Sequence, residues 1–144
     1  MTPARKTLLF PTDFASHSQA AFVHATRLAS QQDAQILALH VANIPDMRGS
    51  SLDGPSYHDE LRSQLEDFTC DKVPVEHLLR VADPGPEICR IAKERGCSMI
   101  FMGVTCKSGL DQLGLGNVHD FVLHHAPCPV VSYRQQPHNH SCHA

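Results

Sequence analysis

Five short apolar runs alternate with amphipathic segments along this chain, and that alternation is the strongest limit on its fold. Thr7-Leu8-Leu9-Phe10-Pro11 is the first run, closed by Pro11 and followed by Thr12-Asp13, the composition of a buried strand entering a loop. Ser16 with Gln19 three residues on has the capping-box pattern. Ala21, Ala25, Leu28 and Ala29 then fall at i, i+4, i+7 and i+8, the stripe of an amphipathic helix. Ala34 to Val41 is a second strand. Leu61, Leu65 and Phe68 mark a helix, and Val75 to Val81 a third strand. Ala82 to Pro86 is a turn into a helix with Ile88, Ile91 and Ala92 as its apolar face and Gly96 at its end. Ser98 to Gly103 is a fourth strand, a helix runs from about Asn117 to His125, and Pro129 to Tyr133 is the last strand.

This order predicts an α/β fold with a parallel sheet and helices on both faces, wound by right-handed crossovers. In open sheets of this kind ligands sit beyond the carboxyl ends of the strands, where the winding direction reverses. The loops concerned follow Phe10, His40-Val41 and Met102. Residues 42–56, rich in Pro, Gly, Ser and Asp, form a long loop for a compact domain, suited to mobility or to covering something.

The length of 144 residues fits one domain, taken as 1–137 and followed by a His/Cys-rich tail at 138–144. A net charge of -3 argues against bulk binding to nucleic acid or to an anionic membrane. No apolar run approaches the roughly 18 residues of a membrane span, and the apolar stretch before Asp13 is too short for a secretory signal. These features predict a cytoplasmic protein. Its six cysteines, which include no C-x-x-C pair, are then reduced.

Gly103 to Asp120 (GVTCKSGLDQLGLGNVHD) is the segment where chemistry concentrates. Gly103 permits a sharp departure from its strand, and Gly114 and Gly116 do the same before the next helix. Asn117 is a good N-cap residue, with Asp120 three positions on. The amides of Asn117 and Val118 stand at a helix start, which carries roughly half a positive charge and favours an anion. Lys107 and Ser108 add a cation and a hydroxyl. The spacing is neither G-x-x-x-x-G-K-[ST] nor G-x-G-x-x-G. The residues alone therefore leave two readings, an anion site or a glycine-rich connector with a capped helix.

The segments LLFPTDFASHS at 8–18, LALHV at 37–41, MIFMG at 99–103, KSGLDQLGLGNV at 107–118 and HAPCPV at 125–130 resemble the universal stress protein family. The resemblance spans about residues 5–134 and is to the single-domain bacterial type. It implies a flavodoxin-like, Rossmann-like α/β/α sandwich with a five-stranded parallel sheet in the order 3-2-1-4-5. It also implies a homodimer, often built through the last strand, here 129–133. Many members bind ATP or AMP through G-x-x-G-x9-G-[ST]. On this chain the first glycine is Gly103 and the third Gly116, while Cys106 replaces the second and Asn117 the Ser/Thr. Asn117 retains a side-chain donor. Cys106 adds a side chain where members bring backbone to the phosphates.

By the same resemblance Asp13, after Pro11 and Thr12, matches an acid beside the adenosine moiety. Val41 matches a residue beside the adenine, and Met102 lies at the same rim. Read alone, Asp13 could instead bond to nearby loop amides, and Val41 and Met102 could be ordinary core. The implied function is a nucleotide-binding stress-response module acting through an unknown protein partner, without a catalytic role. The alternatives are a dimeric scaffold without nucleotide and a metal- or thiol-responsive protein.

His138, His140, Cys142 and His143 crowd the tail with ligands suited to Zn, Ni or Cu. Their spacing is not that of a finger, and a tail loses entropy on closing around a metal, so a terminus with weak metal affinity is the other reading. Cys106, beside Lys107 and helix amides, is either an oxidisable thiol or an inert one. Cys128 reads as a small buried apolar residue, and His124-His125 as partial cations at a helix C-terminus.

Overall fold

The computed structural model describes residues 5–43, 57–104 and 115–134. Its elements are β1 (Lys6–Pro11), α1 (Ser16–Gln31), β2 (Ala34–Ala42), α2 (Tyr57–Glu66), β3 (Val75–Val81), α3 (Pro84–Glu94), β4 (Met99–Val104), α4 (Leu115–His125) and β5 (Val130–Arg134). The five strands form one sheet in the order β3-β2-β1-β4-β5, and every pairing is parallel. Leu8 is opposite Ile36 on one side and Met99 on the other.

A strand covered on both faces needs an unbroken apolar run, and β1 supplies one. Successive side chains on a strand point to opposite faces. Leu8 and Phe10 accordingly join the core beneath α1 and α2, with Ala21, Ala25, Leu61 and Leu65. Leu9 joins the core beneath α3 and α4, with Ile88, Ile91 and Val122. On the first face the Phe10 ring lies 5.3 Å from that of Phe22 and 5.7 Å from that of Phe68, in the tilted geometries aromatic pairs favour. Among the described residues no helix is long and apolar enough to cross a membrane.

Helix ends depart from the sequence reading in instructive ways. The N-cap expected at Ser16 falls one residue earlier: Ser16 is already helical and Ala15 occupies the N-cap. The loop before α1 satisfies its own amides instead, with Thr12 and Asp13 as acceptors. At the end of α3, Gly96 has φ of +61°, a conformation open to glycine at low cost. The Gly96 amide donates to Lys93 O and the Cys97 amide to Ala92 O, which closes the helix in a Schellman turn. At the start of α3, Glu87 is buried and held by Arg90 in a two-pronged pair at 2.9 and 2.6 Å. Arg80 of β3 stands 3.8 Å away. The Arg90 hydrogen bonds outweigh burial and hold the Glu87 carboxyl below its usual range.

The Schellman turn delivers Cys97 into the α3/α4 core, where burial pushes its thiol up to about 11. A thiol that ionises at 9.0 when unfolded and near 11 when folded favours the native state fully below the lower value. That contribution disappears as pH rises toward the higher one. Urea unfolding from neutral to alkaline pH is expected to show a loss of stability across this window. The loss becomes shallower in Cys97→Ala, and the native thiol resists labelling near neutral pH.

Candidate functional site

β1 and β4 are neighbours, yet the sheet grows in opposite directions from them, toward β2 and β3 on one side and β5 on the other. Helices packed on the two faces cannot close over the strand ends at that reversal, and a crevice results. Here it is a cleft of about 560 Å³, within the range of small-molecule sites. Pro11, Thr12 and Asp13 enter it from the end of β1, Leu39, His40 and Val41 from β2, and Met102, Gly103 and Val104 from β4. Pro84 and Ile88 of α3 and Val118 and His119 of α4 complete one side. Leu61 and Gln64 of α2 line the other.

The cleft therefore gathers seven residues singled out by sequence: Pro11, Thr12, Asp13, Val41, Met102, Gly103 and Val118. Gly116 and Asn117 lie in the first turn of α4, immediately before Val118. Cys106 and Lys107 lie outside the described residues, as do the tail residues His138, His140, Cys142 and His143. Among the described residues no group of three or more His, Cys, Asp or Glu side chains is placed to hold a metal ion.

The loop from β1 to α1 is tied down at every residue. Thr12 N–H donates to Leu39 O at 2.8 Å, and Thr12 O accepts from His40 Nδ1 at 2.7 Å. A carbonyl only accepts, so His40 carries a proton on Nδ1. Thr12 Oγ1 accepts from the Phe14 amide at 3.0 Å and shares a buried 2.7 Å hydrogen bond with Ser18 Oγ. Asp13 Oδ1 accepts from the Ala15 amide at 3.1 Å. These bonds hold Phe14 at φ of +67°, a conformation that costs a non-glycine residue about 1–2 kcal/mol. The Phe14 ring stacks on the His40 imidazole at 4.2 Å. It also borders a second cavity of about 420 Å³ that includes Phe22, Phe68 and Gln64. Phe14 and Gln64 thus belong to both spaces.

His17, in the first turn of α1, is buried, and its Nε2 has no hydrogen-bond partner among the described residues. That atom lies 3.8 Å from Asp13 Oδ1, within ion-pair range when the ring is protonated. The same helix explains Gly103. The sequence reading gave this glycine a sharp exit from the strand, but Gly103 remains inside β4, paired with Tyr133. A Cβ on it would come within 2.9 Å of the Ala21 Cβ and 3.2 Å of His17 O. The residue is small because α1 crosses it.

Asn117 also differs from expectation. α4 begins at Leu115, so Asn117 lies in the first turn instead of at the N-cap. Glycine is counted as a breaker when a helix is read from sequence. In a first turn, however, its amide has no intrahelical partner to lose, and Gly116 is accommodated.

Sequence reasoning missed Phe14, Ser18, His40 and His119 in the cleft. A signal existed for His119, two positions beyond Asn117 in the segment already chosen. Phe14 carried none, because a left-handed phenylalanine has no sequence signature. His119 Nε2 bonds to Ser132 Oγ at 2.5 Å. Burial lowers the imidazole pKa from its ordinary value, Arg134 acts in the same direction, and Asp120 opposes both. His124 and His125, in the last turn of α4, contact carbonyls one turn back, through Nδ1 to Asp120 O at 2.8 Å and to Phe121 O at 2.9 Å.

Comparison with known proteins decides the family. Residues 4–134 match the model of the universal stress protein family. The chain belongs to that family. Universal stress protein YxiE of Bacillus subtilis is 31% identical over 144 aligned residues, covering 88% of this chain and 97% of that protein. A universal stress protein solved in complex with cAMP superposes with a TM-score of 0.70 at 17% identity, covering 92% of this chain and 98% of the other. A family protein from Arabidopsis thaliana, solved with AMP bound, gives 0.65 at 23% identity, with 91% and 92% covered. At these identities the two structures establish the shared fold.

The packing of α1 on β4 generates a direct test in this family member. Gly103→Ala is expected to cost about 1–3 kcal/mol through overpacking, read as a lower urea midpoint with an unchanged slope. A midpoint equal to that of the parent would show that α1 does not rest on this glycine.

Proposed function

We propose that this universal stress protein binds an adenine nucleotide, AMP or ATP, in the cleft at the β1/β4 reversal and acts by changing its contacts with a partner protein. The observation that carries the reading is the convergence of Asp13, Val41, Met102, Gly103 and Val118 on one cleft, beside the first turn of α4. The family members solved with AMP and with cAMP support it, since they share this fold. In this reading Asp13 lies by the adenosine moiety and backbone groups at Val41 read the base edge. The amides of Gly116 and Asn117 receive phosphate, with Lys107 adding charge. The role is binding, with no reaction assigned, in the cytoplasm.

Cys106 stands where many family members have glycine. If that position takes φ > 0, the side chain costs about 1–2 kcal/mol, and about 2 kcal/mol is a thirtyfold loss of affinity. The site is weakened, not abolished.

AMP or ATP at a hundred times its Kd is expected to stabilise the protein by about 2.7 kcal/mol. No thermal shift at millimolar nucleotide, with or without Mg, would remove the reading. Cys106→Gly is expected to tighten binding up to about thirtyfold in titration calorimetry, and an unchanged Kd would show that this side chain does not crowd the phosphates.

The same reading makes the protein a homodimer through β5, an end strand of the sheet with β4 on its inner side. Sedimentation of the nucleotide-free protein is expected to give twice the chain mass; a single-chain mass at every concentration would refute the dimer.

A further inference from the structure

We propose that His119 is a phosphate-recognising residue of the cleft, which takes up a proton when a phosphomonoester enters and so favours the dianionic end of a nucleotide. The inference rests on the reading that a nucleotide occupies this cleft, and it adds a residue outside the glycine motif.

Of the described side chains lining the cleft, two can carry positive charge, His40 and His119. They serve different regions. His40 donates from Nδ1 to Thr12 O and stacks on Phe14, beside the ends of β1 and β2. His119 follows Val118 on α4, two residues beyond Asn117, on the side where the first-turn amides would receive phosphate.

Its ring is already oriented. Nε2 is bonded to Ser132 Oγ, and Ser132 is paired in register with Met102, another cleft residue. Neutral imidazole has one donor and one acceptor, whereas imidazolium donates from both nitrogens. On protonation Nε2–H donates to Ser132 Oγ, the serine hydroxyl turns its own proton away, and Nδ1–H is left for a phosphate oxygen. The proton comes from solvent. Charge-assisted bonds of this kind are about twice as strong as neutral ones.

The surrounding charges make the uptake conditional on the ligand. Burial disfavours the imidazolium of the unliganded protein, and Arg134 on β5 adds to that effect. Asp120 on the same helix is the opposing charge. β4 contributes no titratable side chain. On α3, Glu87 is committed to Arg90 and Arg80, and Asp13 and His40 occupy other walls of the cleft. A phosphate monoester, close to dianionic at neutral pH, reverses the balance. Adenosine, with no charge to offer, does not.

The test follows the Cε1–H resonance of His119 by proton–carbon NMR in the full chain between about pH 5 and 8. His119→Gln assigns the resonance by its loss. The titration is recorded for free protein, with saturating AMP and with saturating adenosine. AMP is expected to raise the proton affinity of the ring about tenfold, matched by about tenfold tighter AMP binding to the protonated form, while adenosine leaves the midpoint in place. His119→Gln is expected to weaken AMP several-fold near pH 6, less at higher pH, and to leave adenosine affinity unchanged. If AMP binds and the midpoint stays fixed, or if adenosine moves it equally, the inference is overturned and the nucleotide reading survives. If neither compound binds, both are overturned.

Discussion

The whole arrangement depends on one strand being buried on both faces and paired on both edges. β1 lies between β2 and β4, with Leu8 and Phe10 in one core and Leu9 in the other. Such a strand carries no polar side chain in its buried stretch, so its first chance to present chemistry is the residue after it ends. Thr12 and Asp13 occupy that place. The order β3-β2-β1-β4-β5 reverses beside the same strand. Core and cleft thus share a single cause: the centre of the sheet is also where its winding changes direction.

The loop after β1 is rigid for reasons that belong to packing as much as to binding. α1 rests on β4 through Gly103, with Ala21 and His17 against the position a side chain would occupy. That contact fixes the first turn of α1, and with it Ser18, whose hydroxyl meets Thr12. Thr12 in turn engages the backbone of Leu39 and the imidazole of His40. A glycine that sequence assigns to a ligand loop is therefore also the seat of a helix, and the two demands act on one atom position.

The sequence carried the fold almost completely. Each strand was legible because buried parallel strands are apolar runs, and the bounds of β3 coincide with the run Val75 to Val81. Helix starts were less legible. α1 starts on Ala15 with no side-chain cap, after a loop whose own amides are held by Thr12 and Asp13, and α4 takes Gly116 into its first turn. Much of the cleft was legible through family motifs at the strand ends. His40, Phe14 and His119 were not, because they enter it through tertiary placement, an unusual backbone angle and a helix phase that the motif does not specify.

Phe14 ends up as the common wall between two chambers, held in a left-handed turn and stacked on His40. With Gln64 it borders both the space beside β1 and the one beneath α1 and α2. A change in the position of that ring alters the lining of both. Their shapes are therefore set jointly, by a single aromatic plane.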